Sequence, residues 1–412
     1  MRPARIIGHV SDPCAAYSVA DHFPGTFDEA ALEKWAAALR ARLTGRVSLG
    51  LVFITPRLFP HAREILEILR VHGQIPLLAG CSSQSLICNE RELEDGAGLT
   101  LALYHLPGAQ LLGTHFTQAH VEADDGPGYW QRVTGVTGER AERLGGWLVF
   151  ADPYHLNAEE WLQQWNKAWA PLPVLGGLAS AGPRATGTQV YLNGEVFETG
   201  GVGIAVGGDV ALRGVISQGC TPIGQPWTIT QVEQNVIRTI GNRPAYQVLV
   251  ETFENLSDAE KQKTRSNLFV GLVINEHLEE FGCGDFLIRN LIGADPKTGV
   301  IAVGALPRVG QSLQFQRRDA QAAAGDLEAL LAKAREAIAD RPVYGACLCC
   351  CNGRGRNLFG AADHDAALVQ QRLGPMGVAG FFCNGEIGPV GDRNFLHGYT
   401  ASLALFVGRD TP

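Results

Sequence analysis

Short apolar runs alternate with segments of helical spacing along the first part of the chain. A first short strand is predicted at 6–10, and Asp28 precedes a segment whose apolar residues recur every three or four positions, which predicts a capped helix. The apolar run 51–56 ends at a proline, helical spacing follows it, and two further apolar runs lie at 77–83 and 99–104. Alternating strands and helices of this kind are typical of an α/β protein.

The same succession recurs further along the chain. The run 148–153 repeats the run 51–56, and 148 − 51 gives an offset of 97. Gly177 and Gly80, which lie in matching segments, are also 97 positions apart, since 177 − 80 is 97. Two landmarks with one offset indicate an internal duplication. Residues 343–407 form a third, looser copy, so the sequence predicts duplicated strand-helix-strand units in mixed sheets.

The pattern changes between the second and third copies. Thr228 or Thr230 is expected to cap a helix over 232–240, and Asp326 is expected to cap a long helix that ends near Ile338. Between these two helices, strands are predicted at 268–274, 286–292 and 299–303.

Length and composition set the outer limits of the interpretation. A chain of 412 residues is longer than one ordinary core, and the segment 219–226, with two prolines and two glycines, marks a predicted boundary between domains 1–221 and 222–412. The net charge of −8 argues against nucleic acid as a partner. No secretory signal or membrane span is expected, and ten cysteines in so long a chain suit reduced thiols in the cytoplasm.

The third copy carries the main candidate site. A buried strand is predicted at 343–351, and Asp363 is predicted to cap a helix that runs to Leu373 before a second strand at 377–383. In a right-handed strand-helix-strand unit, the polar turns after both strands emerge at the same sheet edge, where α/β proteins bind ligands. The predicted ligand site consists of Cys351, Asn352, Gly353, Arg354, Gly355, Cys383, Asn384, Gly385 and Glu386, with Cys81, Ser82 and Ser83 at the equivalent edge of the first half.

Arg354 and Glu386 are the charged members of this predicted site. Arg354 lies between two glycines and is suited to binding a carboxylate, or to tying its loop to a helix end or to Glu386. Glu386 is suited to receiving a ligand ammonium group, or to forming a structural pair with Arg354. Together the two residues would suit a zwitterionic amino acid. The hydroxyl groups of Ser82 and Ser83 are suited to ligand contact or to capping a following helix.

The cysteines allow a second interpretation. Cys351 and Cys383 would serve as redox-sensing or nucleophilic thiols, or as small buried hydrophobic residues. As nucleophiles they would need Glu386 or His397 to orient a base. A metal is not predicted, because alternate cysteines on one strand lie about 6.5 to 7 Å apart and the cluster has no CxxC turn to make them converge. No cofactor is predicted either.

Several motifs together resemble the FIST family, which pairs a FIST-N with a FIST-C domain. The resemblance rests on Gly80-Cys81-Ser82-Ser83, Gly176-Gly177, Thr221-Pro222-Ile223-Gly224, Cys351-Asn352-Gly353-Arg354-Gly355 and the segment 380–388. It covers nearly the whole chain, and the C-terminal motifs are its specific part. The resemblance implies an intracellular sensory module that binds a small ligand such as an amino acid. Within the family, the chain resembles the stand-alone members, which have no fused F-box, kinase or receiver domain.

The resulting expectation is a sensory or signal-transduction protein, more a binding protein than an enzyme. It would bind a small polar ligand in a crevice of the C-terminal domain and pass a conformational change to a signalling protein partner. Two other classes remain open at this stage: a cysteine-dependent enzyme with Cys351 or Cys383 as nucleophile, and a protein-interaction platform without a ligand.

Overall fold

The computed structural model describes residues 16–182, 187–265, 267–282 and 284–409. The strand expected at 6–10 lies outside the described residues. Three six-stranded sheets and one seven-stranded sheet, flanked by helices, make up the described part of the chain. This architecture confirms the predicted α/β class with duplicated units and mixed sheets.

The first repeat follows the predicted succession. Asp28 accepts a hydrogen bond from the Ala31 N–H at 3.0 Å and caps the first helix, and Gly73 ends the second. Its elements are β1 (Ser18–Pro24), α1 (Glu29–Arg42), β2 (Leu49–Ile54), a 3-10 helix (Pro56–His61), α2 (Ala62–His72), β3 (Leu78–Ser82), β4 (Leu86–Cys88), β5 (Arg91–Leu93) and β6 (Gly98–Tyr104).

The second repeat has the same plan, with three short helices where the first has α1. Asn157 accepts a hydrogen bond from the Glu160 N–H at 3.2 Å, and the core contains Trp161, Trp165 and Trp169, as their spacing of four predicts. Its elements are β7 (Ala109–Phe116), α3 (Gln118–Glu122), α4 (Tyr129–Thr134), α5 (Gly138–Glu142), β8 (Leu144–Ala151), α6 (Ala158–Trp169), β9 (Val174–Leu178), β10 (Val190–Leu192), β11 (Glu195–Phe197) and β12 (Gly201–Gly208).

The third repeat opens with β13 (Val210–Gln218) and is then interrupted by an inserted unit, residues 220–318. The elements of this inserted unit are β14 (Cys220–Glu233), β15 (Val236–Ile240), β16 (Arg243–Pro244), α7 (Ala245–Glu254), α8 (Asp258–Thr264), β17 (Leu268–Val273), β18 (Phe286–Asp295), β19 (Val300–Val303) and β20 (Ser312–Arg318). Its strands pair antiparallel, and β14 pairs with both β20 and β15. The ladder β14-β20-β17-β18-β19-β15 therefore closes on itself, and α7 packs against its apolar residues.

The helix expected over 232–240 is wrong, whereas the three strands expected after it are confirmed. Val232 lies near the end of β14, which ends at Glu233, Val236 begins β15, and the two strands form an antiparallel hairpin. Gln234 lies in the turn with a positive φ of 51°. The apparent helical spacing was therefore counted across a hairpin turn, and the β-branched residues on either side favour strands.

The third repeat resumes after the inserted unit. Its elements are α9 (Ala320–Ile338), β21 (Val343–Cys351), α10 (Arg356–Phe359), α11 (His364–Leu373), β22 (Val378–Cys383), β23 (Glu386–Val390), β24 (Arg393–His397) and β25 (Thr400–Gly408). Helix α9 begins earlier than expected, because Asp319 rather than Asp326 caps it. Asp326 lies inside the helix and accepts hydrogen bonds from Ser217 and Gln218 of β13. The alanine-rich start of α9 has high helix propensity but a weak apolar stripe, so the apolar pattern missed it.

The three repeats exchange their hairpins in a ring. The sheet orders are β1-β6-β2-β3-β10-β11, β7-β12-β8-β9-β23-β24 and β13-β25-β21-β22-β4-β5. In each sheet the two central strands are parallel, and the last two strands come from the hairpin of another repeat. The hairpin β4–β5 joins the third sheet, β10–β11 joins the first, and β23–β24 joins the second. Residues from distant parts of the chain therefore meet at the sheet edges.

Close packing where the three sheets meet accounts for part of the cysteine-rich strand β21. The paired positions across the parallel central strands are Phe53 with Cys81, Phe150 with Gly177, and Cys349 with Phe381. Each pair holds one phenylalanine and one small residue, and the three rings lie with centroids 4.8 to 5.8 Å apart. Cys349 therefore acts as a small apolar side chain that makes room for Phe381.

One glycine in each repeat fixes how closely the central strands approach. A Cβ on Gly80, Gly176 or Gly380 would overlap the carbonyl oxygen of the residue paired with it. The structural counterpart of Gly80 is therefore Gly176, and 176 − 80 gives an offset of 96. The expected match with Gly177 is wrong by one residue, because the second repeat is one residue shorter between its central strands.

The expected division of the chain at residue 222 falls within β14. Strand β13, which precedes it, pairs along its length with β25 at the end of the chain. The exchanged hairpins also connect sequence from both sides of residue 222. Which segments would fold independently as domains stays a prediction.

Candidate functional site

The two polar turns meet at the carboxyl ends of β21 and β22, which are adjacent and parallel. Cys351 pairs with Cys383 at the end of the ladder. Beyond this pair, the Asn352 side-chain amide donates to Asn384 Oδ1 at 2.8 Å, and the Asn352 N–H donates to the Cys383 carbonyl at 3.1 Å. Asn384 is exposed, so the junction of the two turns reaches the surface.

Arg354 turns away from this surface into the protein. Its N–H donates to the Cys351 carbonyl at 2.7 Å, and its side chain is completely buried. Nε and Nη2 donate to the two oxygens of Asp365 at 2.6 and 2.9 Å. Burial opposes both charges, but their attraction outweighs it, so the pKa of Arg354 is raised and the pKa of Asp365 is held well below its usual range. The guanidinium therefore pairs with Asp365 and not with Glu386.

Asp365 is held in turn by the hairpin from the first repeat. The buried Glu92 of β5 accepts the N–H groups of Asp365 and Ala366 on Oε1, at 2.8 and 3.0 Å. Glu92 thus caps α11, which begins and ends where expected. Asp363 precedes that helix as expected, but its side chain accepts the Glu92 N–H at 2.6 Å instead of capping. Burial, followed by the Asp365 charge, raises the pKa of Glu92 to about 7.

Glu386 is also completely buried. Its Oε1 lies 3.1 Å from Cys383 Sγ, and its Oε2 accepts the Thr400 N–H at 3.1 Å. Burial raises the pKa of Glu386 to about 8, so the carboxyl group is protonated near neutral pH. Because a thiol has one hydrogen, and Cys383 Sγ also lies 3.2 Å from the Cys350 carbonyl, Glu386 can donate to the sulfur while the thiol donates to that carbonyl. Both carboxyl oxygens therefore have protein partners.

The thiols at the strand ends lack the environment of a nucleophile. Burial, reinforced by Glu386, raises the pKa of Cys351 to about 12 and the pKa of Cys383 well above its ordinary value. A nucleophilic cysteine needs a lowered pKa. His397 is buried, its Nε2 lies 3.1 Å from the Gly388 carbonyl, and burial lowers its pKa to about 4. The geometry thus gives no support to cysteine catalysis at these strand ends.

Cys81, Ser82 and Ser83 lie at the centre of the molecule and are fully buried. Ser82 Oγ donates to the Ser180 carbonyl at 3.0 Å, and Ser83 Oγ donates to the Phe382 carbonyl at 3.0 Å. These bonds join the first repeat to the second and third. The capping role considered for the two hydroxyl groups is wrong, since they bind strand-end carbonyls instead of helix N–H groups.

Unpaired hydrogen-bond donors lie beside the Cys351–Gly355 loop. Arg354 Nη1 is buried and has no acceptor among the described residues. Arg318, the last residue of β20, has two such atoms, Nε and Nη2. Its guanidinium lies over the Tyr399 ring, 5.4 Å from the ring centre. Buried polar groups nearly always have a partner, so these donors mark a place where an additional acceptor is expected.

A glycine lies close to each of the two arginines. A Cβ on Gly353 would lie 3.0 Å from Arg318 Nη2, and a Cβ on Gly219 would lie 3.4 Å from Arg354 Nη1 and 3.2 Å from the Tyr399 carbonyl oxygen. We refer to Arg318, Arg354, Tyr399, Gly219 and Gly353 as the arginine cluster. Sequence reasoning found Arg354 and Gly353 but missed the other three, because no local motif shows that β20 ends beside this loop.

The described ranges lack two further kinds of feature. These ranges contain no group of three or more His, Cys, Asp or Glu side chains placed to hold a metal ion. They also contain no helix that is both long enough and apolar enough to cross a membrane. The donor groups that distinguish the arginine cluster are guanidinium N–H groups, which bind anions and not metals.

The fold defines a protein of three exchanged α/β repeats with one inserted β unit, and comparison with known proteins gives its family. The FIST N domain model matches residues 48–243, and the FIST C domain model matches residues 245–389. The uncharacterized protein Mb0898c of Mycobacterium bovis is 38% identical over 334 residues, which cover 81% of this chain and 83% of the relative. The uncharacterized protein MT0656 of Mycobacterium tuberculosis is 37% identical over 348 residues, covering 84% and 88%.

The chain therefore belongs to the FIST family, as the sequence motifs indicated. FIST domains are generally sensory and signal-transduction domains. The expected role in sensing is therefore supported at the level of the family. The two relatives carry no assigned function, so the ligand has to be argued from the geometry of this chain.

Proposed function

We propose that this protein is a sensor that binds a small polar ligand at the arginine cluster and reports binding to a signalling protein partner. The observation that carries the proposal is the fully buried Arg354, which leaves Nη1 without an acceptor among the described residues. An unpaired buried donor costs about 1 to 3 kcal/mol. A ligand that supplies an acceptor would recover much of that free energy.

The surrounding hydrogen bonds also hold the Arg354 guanidinium in a fixed position. Asp365 holds two of the three nitrogens of Arg354, and Glu92 holds the helix turn that carries Asp365. A donor fixed in this way loses little conformational entropy when a ligand binds. The predicted ligand contact of Arg354 is therefore retained in the proposal, through Nη1. The predicted contact of Glu386 with an ammonium group is dropped, because both of its oxygens are already hydrogen-bonded.

A ligand at this place would connect two parts of the fold. Arg318 belongs to the inserted unit, whereas Arg354 and Gly353 belong to the third repeat. A ligand that contacts both arginines stabilises the arrangement in which these two parts lie together, and so shifts the population of conformations. This gives the sensor a physical means of changing the surface that a partner recognises.

Calorimetric titration and thermal-shift screening with amino acids, organic acids, amines and small amides test the proposal. We expect at least one class to bind the wild type saturably, and we expect Arg354→Lys to weaken that binding tenfold or more because it removes Nη1. The control is Arg356→Lys, which changes an exposed arginine paired with Asp95. Absence of binding by every class, or equal binding to the wild type and Arg354→Lys, would contradict the proposal.

A further inference from the structure

We infer that the ligand carries a carboxylate group and that this carboxylate binds the Nε–Nη2 edge of Arg318. The inference rests on the proposed function, and it adds the chemical class of the ligand and the residue that recognises it. Both nitrogens of this edge are buried and lack an acceptor among the described residues. Arg318 as a whole is half-buried, so part of the residue reaches solvent.

The pair of Arg354 and Asp365 shows which group such an edge binds. The same edge of Arg354, Nε and Nη2, holds the two oxygens of Asp365 at 2.6 and 2.9 Å. This is the bidentate geometry that a planar guanidinium forms with a planar carboxylate. Arg318 presents an identical pair of donors within the same cluster, and no described residue accepts from either nitrogen. A carboxylate from outside the chain is the simplest group that matches it.

The neighbouring arginine on β20 shows the contrast. Arg317 Nη1 lies 3.9 Å from Glu260, and its Nη2 lies 3.7 Å from Asp319. The charge of Arg317 is thus balanced by two carboxylates of the protein, although its Nε and Nη1 also lack a hydrogen-bond acceptor among the described residues. The contrast between the two arginines is therefore one of ion pairing. No ion pair of this kind joins Arg318 to the described residues, and its donors stay free for an external anion.

Tyr399 holds the Arg318 guanidinium in position. Its ring lies under the guanidinium carbon at 5.4 Å, a distance at which a cation and an aromatic face attract each other. The backbone of Tyr399 has a positive φ of 64°, which is unfavourable for a residue other than glycine. Strain of this kind persists only where the surroundings impose it. Here it places the ring against the guanidinium of Arg318.

Pairs of compounds that differ only in the carboxylate test the inference: acetate with acetamide, and glycine with glycinamide. Dissociation constants are measured by calorimetry for the wild type, Arg318→Gln, Arg318→Lys and Arg317→Gln. We expect each carboxylate to bind the wild type at least tenfold more tightly than its amide. We also expect Arg318→Gln to lose that preference, Arg318→Lys to keep only part of it, and Arg317→Gln to keep it. Unliganded melting temperatures show whether each variant folds.

The remaining outcomes separate this inference from the proposed function. If amides or amines bind as tightly as carboxylates and Arg354→Lys abolishes that binding, the sensor proposal stands and the carboxylate inference is overturned. Carboxylate binding that is unchanged in Arg318→Gln and Arg318→Lys also overturns it. Inorganic phosphate and sulfate are titrated in parallel, and a preference for either over acetate would contradict recognition of a carboxylate. If no compound binds the wild type, both proposals fall.

Discussion

The first and third repeats use the same position, the end of the first central strand, in opposite ways. In the first repeat, Thr55 follows β2, and its hydroxyl donates to the Gly98 carbonyl at 3.0 Å and accepts the Gly98 N–H at 2.9 Å. In the third repeat, Cys351 occupies the counterpart position, and the chain turns inward through Arg354, whose Nη1 has no acceptor in the described part of the chain. The first repeat thus satisfies the polar groups at this strand end with its own residues. In the third repeat, no described residue accepts a hydrogen bond from Arg354 Nη1.

The difference follows from what packs against each strand end. Ser82 and Ser83 of the first repeat meet the strand ends of the other repeats, where carbonyl oxygens accept their hydroxyl groups. The third repeat instead meets the inserted unit, which brings the cationic Arg318 beside Gly353. Hydrogen bonding between guanidinium groups is impossible because both are donors. The insertion thus turns a packing position into a candidate binding site.

The largest expected effect tests what the two repeats share. Gly80→Ala and Gly380→Ala each place a Cβ on a backbone carbonyl oxygen of the neighbouring strand, so each should lower the free energy of unfolding by about 4 kcal/mol or more. Gly182→Ala is the control, since no atom of the described residues lies within 4 Å of an added Cβ there. Chemical denaturation provides the measurement. Tolerance of either change would mean that the repeats are not equivalent at their central strands.

The next effect concerns the buried charge of the third repeat alone. Asp365→Asn leaves the buried Arg354 without its counter-ion and should cost about 3 to 5 kcal/mol of stability. Asp95→Asn breaks an exposed pair with Arg356 and should cost less than about 1 kcal/mol. Denaturation of both variants at neutral pH measures the difference. Equal costs would show that burial does not set the strength of the Arg354–Asp365 pair.

A smaller effect appears as pH dependence. Between its ordinary pKa of 4.5 and about 8, the folded protein retains a proton on Glu386 that the unfolded chain releases. The folded state therefore binds more protons in this window, and its stability falls as the pH rises, by up to roughly 1.4 kcal/mol for each pH unit. Glu386→Gln, which keeps both hydrogen bonds when its amide is suitably oriented, should flatten this decline.

Unfolding free energies of wild type and Glu386→Gln at pH 5, 6, 7, 8 and 9 measure that difference. Glu92→Gln provides a comparison, because the pKa of Glu92 is raised to about 7 and its contribution should end at lower pH. A wild-type decline that is identical in Glu386→Gln would contradict a protonated Glu386 in the folded state.

Many of the helices and strands could be predicted from the sequence, because the signals that define them are local. The cap at Asp28, the tryptophan stripe of α6 and the strand-helix-strand pattern around β21 and β22 each depend on residues within a few positions of one another. The prediction of a helix over 232–240 was wrong for the same reason. A short stretch of sequence does not distinguish a β hairpin from a helix when the turn lacks glycine or proline.

The candidate site could be predicted only in part. The turns after Cys351 and Cys383 do meet, since parallel neighbouring strands end at one sheet edge. The partners of Arg354 could not be foreseen, because Glu92 reaches α11 through a hairpin exchanged between repeats. Arg318 lies at the end of β20, the last strand of the inserted unit, and no sequence motif shows where this strand packs. Long-range placement of this kind depends on topology, which the local pattern does not contain.

The most direct test of the account compares the two arginine edges in solution. In protein labelled with 15N-arginine, the Nε–H resonance of Arg318 is assigned by its loss in Arg318→Lys, and that of Arg354 by its loss in Arg354→Lys. During titration with glycine, the account predicts a saturable shift of the Arg318 Nε–H and almost none for the Arg354 Nε–H, which Asp365 already holds. An Arg318 resonance that stays in place while glycine binds would contradict it.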